Sequence, residues 1–213
     1  MNSDYSPVCK QINLSNEVLE FIVGTVFGNA HLIKVSKNAR LQFIHGGNQK
    51  FYIIHKAKLL KNICPNGVKT KLIYNKKYNK KYIIYILTSF NNRQLTKLYK
   101  IFYPYGKKQI TNKCLNLLTD KGLAYFYMDI GVLGKYKFSN DRTSVDLFLN
   151  TYWTDEEHKL FINYIFKKYG ILFKKVKNKG KYRLRVGKKQ AFKFIKIIKP
   201  YILPEFKYKI NLL

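Results

Sequence analysis

Between Glu20 and Asp120 the sequence contains neither aspartate nor glutamate. Nearly half of the chain therefore has no carboxylate with which to run acid–base chemistry or to hold a hard cation such as Mg²⁺, whose ligands are anionic oxygens. Cysteine is equally sparse. Cys9, Cys64 and Cys114 lie far apart with no C-x-x-C pair, which excludes a disulfide scaffold and a zinc knuckle and fits a reducing compartment. They read as small buried thiols. No apolar run reaches the ~18 residues of a membrane span, because lysine interrupts each candidate, so no membrane partner is expected. The first twenty residues carry Asp4, Glu17 and Glu20, no arginine and no apolar secretory core; neither a signal nor a transit peptide is read there.

What the chain has in excess is positive charge. Its 213 residues include 41 Lys+Arg against 11 Asp+Glu, a formal charge of +30, with 46% hydrophobic and 16% aromatic residues. That apolar content is too high for a disordered basic tail and sufficient for a folded core. Self-repulsion at this charge calls for a polyanion, and nucleic acid is the expected partner. The basic residues are spread over strand-like segments rather than gathered on one amphipathic helix, which argues against a membrane surface. Only five are arginine (Arg40, Arg93, Arg142, Arg183, Arg185). The bias to Lys, Asn, Ile, Tyr and Phe suggests an AT-rich gene of the organellar kind, and the expected location is the mitochondrion.

Ser15 ahead of Glu17 and Glu20 predicts a helix over residues 16–29. Alternation then predicts a hairpin of residues 31–36 and 40–45. Lys34 and Ser36 would pair with Arg40 and Gln42 on one face, and Ile33, Val35, Leu41 and Phe43 would turn to the core. A helix over 49–60 is followed by the breaker Cys64-Pro65-Asn66-Gly67. Strands over 68–74 and 81–89 then flank NKKYNK, and a helix covers 94–102. The second half repeats this order. Thr119 caps a helix to residue 130, strands follow at 135–138 and 144–149, and Thr154 with Asp155, Glu156 and Glu157 starts a helix that Gly170 ends. Strands over 172–177 and 181–187 flank Asn178-Lys179-Gly180, and a last helix over 189–198 stops at Pro200. The expected fold class is α+β: two αββαββα repeats at 14–103 and 118–213, each with an antiparallel sheet packed on helices. An extension at 1–13 and a linker at 104–117 complete a monomer with internal pseudo-twofold symmetry.

One face of such a sheet can meet water. Lys181, Arg183 and Arg185 alternate with Tyr182, Leu184 and Val186, which sets three positive groups about 6.6 Å apart on one face, a ladder suited to phosphates. The same reading assigns nucleic-acid contacts to Lys34, Lys37 and Arg40 in the first hairpin. It adds Lys69, Lys71, Lys76, Lys77, Lys80 and Lys81 in the second, and Lys135, Lys137, Arg142, Lys175 and Lys177 in the second half. The Tyr-rich segments read as half-buried strand residues. His31, His45, His55 and His158 lack metal-ligand spacing and read as surface or strand residues.

The two helices that open the halves, IVGTVFGNA at 22–30 and LAYFYMDIG at 123–131, resemble the paired LAGLIDADG motifs of homing endonucleases and maturases. LTDKGLAYFYMD, the LNT at 149–151, WTDEE and the closing KPYILPEFKYKI are similar to single-chain, two-repeat members, and the resemblance covers roughly residues 14–210. It implies saddle-like sheets and a close helix pair in which Gly24 and Gly28 face Ala124. It also implies metal-dependent phosphodiester hydrolysis, with one acid from the bottom of each helix holding divalent ions. Those positions fall on Asn29 and Ile130. Asp129, the one acid nearby, stands one position early, about 100° around the helix. No catalytic residue, metal ligand or cofactor is therefore expected, Mg²⁺ entering only if the chain is an active endonuclease. Losing two carboxylates also removes repulsion toward a polyanion. Because the family includes group I intron maturases, the expected function is binding of structured RNA, intron or rRNA, in preference to duplex DNA. The chain would serve as a maturase or as a component of an organellar ribosome beside other ribosomal proteins. The alternative is an active homing endonuclease that cleaves double-stranded DNA.

Overall fold

The computed structural model describes residues 12–137 and 143–211; Cys9, Phe138 and Arg142 lie outside them. Hydroxyl caps start three helices where the sequence places them. Ser15 Oγ accepts from Val18 N at 3.3 Å ahead of α1 (Asn16–Phe27). The next elements are β1 (His31–Val35), β2 (Asn38–Gly46), α2 (Lys50–Leu59), β3 (Val68–Asn75), β4 (Lys80–Thr88) and α3 (Arg93–Phe102). The segment expected to be a plain linker holds the short helix α4 (Asn112–Leu115), capped by Thr111. Thr119 Oγ1 accepts from Gly122 N at 3.1 Å to begin α5 (Asp120–Ile130), and β5 (Gly131–Lys137) and β6 (Thr143–Leu149) follow. Thr154 and Glu157 form a full capping box on α6 (Asp155–Tyr169), which ends at Gly170 with φ +64. Then come β7 (Lys174–Asn178), β8 (Lys181–Gly187) and α7 (Lys188–Ile198). Pro200 does not halt the coil at once: 3-10 turns occupy Lys199–Tyr201 and Pro204–Lys209.

Two four-stranded antiparallel sheets result, with orders β1-β2-β4-β3 and β5-β6-β8-β7, the same topology twice. The chain packs as two units. Among the described residues, one holds 12–19 and Asn29–Ile101; the other combines Glu20–Gly28 with those from Phe102 onward. Packing therefore divides the molecule differently from the repeat boundaries, since most of α1 belongs with the second half.

In the first unit Leu32, Ala39, Leu41, Phe43 and Leu87 from the sheet and Tyr52 and Ile53 from α2 are fully buried. The β1–β2 register departs from expectation by three residues, since Arg40, expected opposite Ser36, pairs with Ile33. Ser36 (φ +55) and Lys37 form a two-residue turn that pairs Val35 with Asn38, Lys34 with Ala39 and Ile33 with Arg40. A slip by an odd number of residues exchanges the faces of a strand, so Leu32 rather than Ile33 or Val35 enters the core.

The second unit has an aromatic core. Phe126 stacks on Trp153 with centroids 5.6 Å apart, and Phe161 lies 5.1 Å from Trp153. Phe27 of α1 meets Phe126 edge-on at 5.9 Å, which carries the aromatic contacts into the helix pair. His158 is 1% exposed and bonds Thr151 Oγ1 through Nε2 at 2.8 Å; it is a core residue of α6 rather than a surface or strand one.

Candidate nucleic-acid interface

Helices α1 and α5 touch through glycine. A Cβ at Gly24 would overlap the Gly122 backbone, and one at Gly28 would stand 2.6 Å from Asp129 Cβ. The partner of Gly24 is thus Gly122, and that of Gly28 is Asp129. Ala124 is buried, but the close approach expected of it is made by Gly122 two residues earlier. Below this contact two lysines reach in, each to a helix C-terminus. Lys108 Nζ donates to the Gly28 carbonyl at 3.1 Å, and Lys209 Nζ donates to the Met128 carbonyl at 2.8 Å. Tyr127 Oη donates to the Lys209 carbonyl at 2.6 Å and fixes that segment. Carbonyls at a helix C-terminus carry partial negative charge, and with the Asp129 carboxylate they balance two ammonium groups.

Burial pushes both lysines down from 10.5 to about 8, while the Asp129 carboxylate acts to raise them. The unfolded chain therefore binds more protons than the folded one between about pH 8 and 10.5, and these groups make stability rise with pH across that window. Above pH 9 the thiols of Cys64 and Cys114, which burial raises, act oppositely. Urea unfolding should show a gain of roughly 1–2 kcal/mol between about pH 7.5 and 9. Lys108→Met should flatten it.

These residues do not fit a pair of divalent metal ions. The motif acid positions hold Asn29, which is exposed, and Ile130, which is half-buried; the one carboxylate beside them in sequence, Asp129, is buried. Lys108 and Lys209 bring positive charge to the place where a cation would need anionic oxygens. Among the described residues, no three His, Cys, Asp or Glu side chains come together as metal ligands. Sequence reasoning missed both lysines and Gly122. The signal was present: Lys108 and Lys209 stand the same interval apart as Asn29 and Ile130.

The sheet registers sort the basic residues by face. On the first sheet Arg40, Lys69, Lys71 and Lys80 share the face away from the core with Gln42 and Thr88. Lys34 pairs with Ala39 and Lys81 with Tyr74, which puts both on the opposite face, at strand ends where they are exposed. Lys37 occupies the first turn. Lys76 and Lys77 occupy the 3-10 turn between β3 and β4, where Asn75 accepts from Lys77 N at 3.0 Å.

On the second sheet Lys181, Arg183 and Arg185 share the outer face as expected, and Lys174, which sequence reasoning passed over, pairs with Arg185 and joins them. Lys135, Lys175 and Lys177 do not join them, because their partners Val145, Leu184 and Tyr182 belong to the inner face. Lys175 is engaged there by Asp155 at 2.6 Å, a bond that holds the Asp155 carboxyl below its ordinary range. Lys137 closes β5 opposite Thr143. On the outer face Arg185 is held by the nearly buried Asp146 at 2.8 Å, and the Arg183 guanidinium lies 3.7 Å from the centre of the Phe148 ring.

Two glycine-joined helices, doubled sheets and cationic outer faces constitute one recurrent architecture, and comparison with known proteins names it. Residues 19–194 match the model of the LAGLIDADG DNA endonuclease family. The chain belongs to that family. Among its relatives is "Probable intron-encoded endonuclease 1" of Wickerhamomyces canadensis, 27% identical over 195 residues that span 90% of this chain and 82% of the relative. Another is "Cytochrome b mRNA maturase bI2" of Debaryomyces hansenii, 27% identical over 93% of this chain and 75% of the maturase. The homing endonuclease I-WcaI, solved bound to its DNA recognition sequence, superposes with a TM-score of 0.84 at 27% identity, covering 95% of this chain and 89% of that one. The fold is therefore that of LAGLIDADG homing endonucleases, and the relatives include both endonucleases and a maturase.

Proposed function

We propose that this LAGLIDADG protein grips nucleic acid without cutting it, and that its ligand is structured RNA, as a maturase or a component of an organellar ribosome in the mitochondrion. One observation carries the reading. The motif acid positions are Asn29 and Ile130, and the remaining carboxylate, Asp129, lies at the helix contact with Lys108 and Lys209 at the helix ends. An in-line displacement needs charge stabilisation at the attacking and leaving oxygens, which the family obtains from metal ions on carboxylates. The outer sheet faces keep the cations that bind phosphate, and these serve RNA and DNA alike. The maturase relative supports RNA.

The test is direct. Purified chain, incubated with a randomised duplex library in Mg²⁺ or Mn²⁺, should leave every strand intact while shifting folded RNA in a gel. Efficient double-strand cleavage would overturn the reading. It would favour the second one, an active endonuclease working through Asp129, which the resemblance to I-WcaI supports; Asp129→Asn should then abolish cutting.

A further inference from the structure

We propose that a small pocket beside the outer face of the second sheet receives one unpaired nucleobase of an RNA. The inference deepens the proposed function and rests on its choice of RNA. The pocket has a volume of about 220 Å³ and is lined by Asn150, Tyr152, Lys179, Lys181 and Arg183, with neighbours from the β7–β8 turn. That is below the range of drug-sized ligand sites and in keeping with a single planar ring system. Two of its lining residues each carry a polar atom, Asn150 Oδ1 and Arg183 Nε, that is closed off from solvent and finds no hydrogen-bond partner among the described residues. Orphaned polar atoms are costly, and two in one pocket point to a ligand that supplies both a donor and an acceptor.

The chemistry selects the ligand class. Asn150 Oδ1 accepts and Arg183 Nε–H donates. The Watson–Crick edge of each of the four RNA bases carries a donor next to an acceptor, so the pair suits any base whose edge is not already used in a duplex. At the pocket Tyr152 is 77% exposed, with the Lys181 ammonium 4.3 Å from its ring centre. An exposed aromatic flanked by lysines is how proteins hold a splayed base: the ring stacks and the ammonium groups of Lys179 and Lys181 meet the adjoining phosphates. The Arg183 guanidinium is already steadied on Phe148, so little of that side chain is left to order when a base binds. A paired duplex offers no free edge to this site, whereas a bulge or loop does.

The experiment compares two RNA hairpins that differ by one bulged uridine, titrated with the whole chain at one salt concentration. The bulged hairpin should bind about tenfold more tightly. Tyr152→Ala and Asn150→Ala should each erase that difference, and Tyr152→Phe should keep it. With 4-thiouridine at the bulge, irradiation of the native complex should cross-link residues 150–152 or 178–183. That readout does not depend on any variant folding. Equal affinity for the two hairpins, an advantage that survives both alanine variants, or cross-links confined to other segments would overturn the pocket while leaving RNA binding in place. Binding of duplex DNA with neither hairpin bound would overturn the RNA reading together with it.

Discussion

Raising the salt from about 50 to about 200 mM should weaken binding of nucleic acid by roughly 10³- to 10⁴-fold. Eight described cations stand on the outer faces: Arg40, Lys69, Lys71 and Lys80 on one sheet, Lys174, Lys181, Arg183 and Arg185 on the other. Arg185 already has Asp146 as its counter-ion and releases none on binding. If the other seven each displace a condensed counter-ion, the plot of log K against log salt has a slope of about −6 on duplex DNA and about −5 on single strands. The face assignment is tested residue by residue in the same titration. Lys69→Gln and Lys174→Gln should each flatten the slope by about one. Lys81→Gln and Lys175→Gln, on the inner faces, should leave it where it was. A slope that responds equally to all four changes would mean that total charge, not the outer faces, does the binding.

Gly24→Ala should cost about 3 kcal/mol of stability, at the upper end of overpacking penalties. The added methyl has no free space, because the Gly122 backbone lies within its van der Waals radius. A flexible side chain could swing aside, whereas backbone in the first turn of α5 cannot. Separating the helices would strain the contacts around them, including Phe21 against Tyr125 at 4.7 Å and Phe27 against Phe126. Urea or thermal unfolding measures the loss. The comparison is Gly67→Ala, which meets no atom within 4 Å and carries only the strain of φ +60. If Gly24→Ala proved as mild as that control, the helices would not be held as closely as described.

Local chemistry made most of the elements legible. Ser15, Thr119 and Thr154 are hydroxyls followed by acids or apolar periodicity, and each begins a helix within a residue of expectation. The turn at Asn178-Lys179-Gly180 likewise falls where Lys179 and Gly180 take positive φ. Registers were harder to read, because they depend on turn length: counting the first turn as Ser36–Lys37 rather than three residues reverses every side chain of β1. The sorting of lysines failed for the same reason in β7, where Lys174 and Lys175 are equally plausible until β8 sets the pairing.

At the proposed site, the assignment of the two motif acid positions to Asn29 and Ile130 rests on position in the sequence alone. The lysines at the helix ends were not legible, since Lys108 sits in a stretch without regular structure and Lys209 in a 3-10 turn, neither of which has a periodicity to announce a role. The pocket on Asn150 and Arg183 joins a strand end to a distant hairpin, and only the fold brings those segments together.

The meeting of Gly28 with Asp129 also constrains the history open to this sequence. Because the Asp129 side chain occupies the room that any larger residue at position 28 would require, the two sites are epistatic, and their order of substitution matters. A lineage could enlarge position 28 only after shrinking position 129. The reverse path is bound by the same order, since position 129 could be enlarged again only after position 28 had returned to glycine.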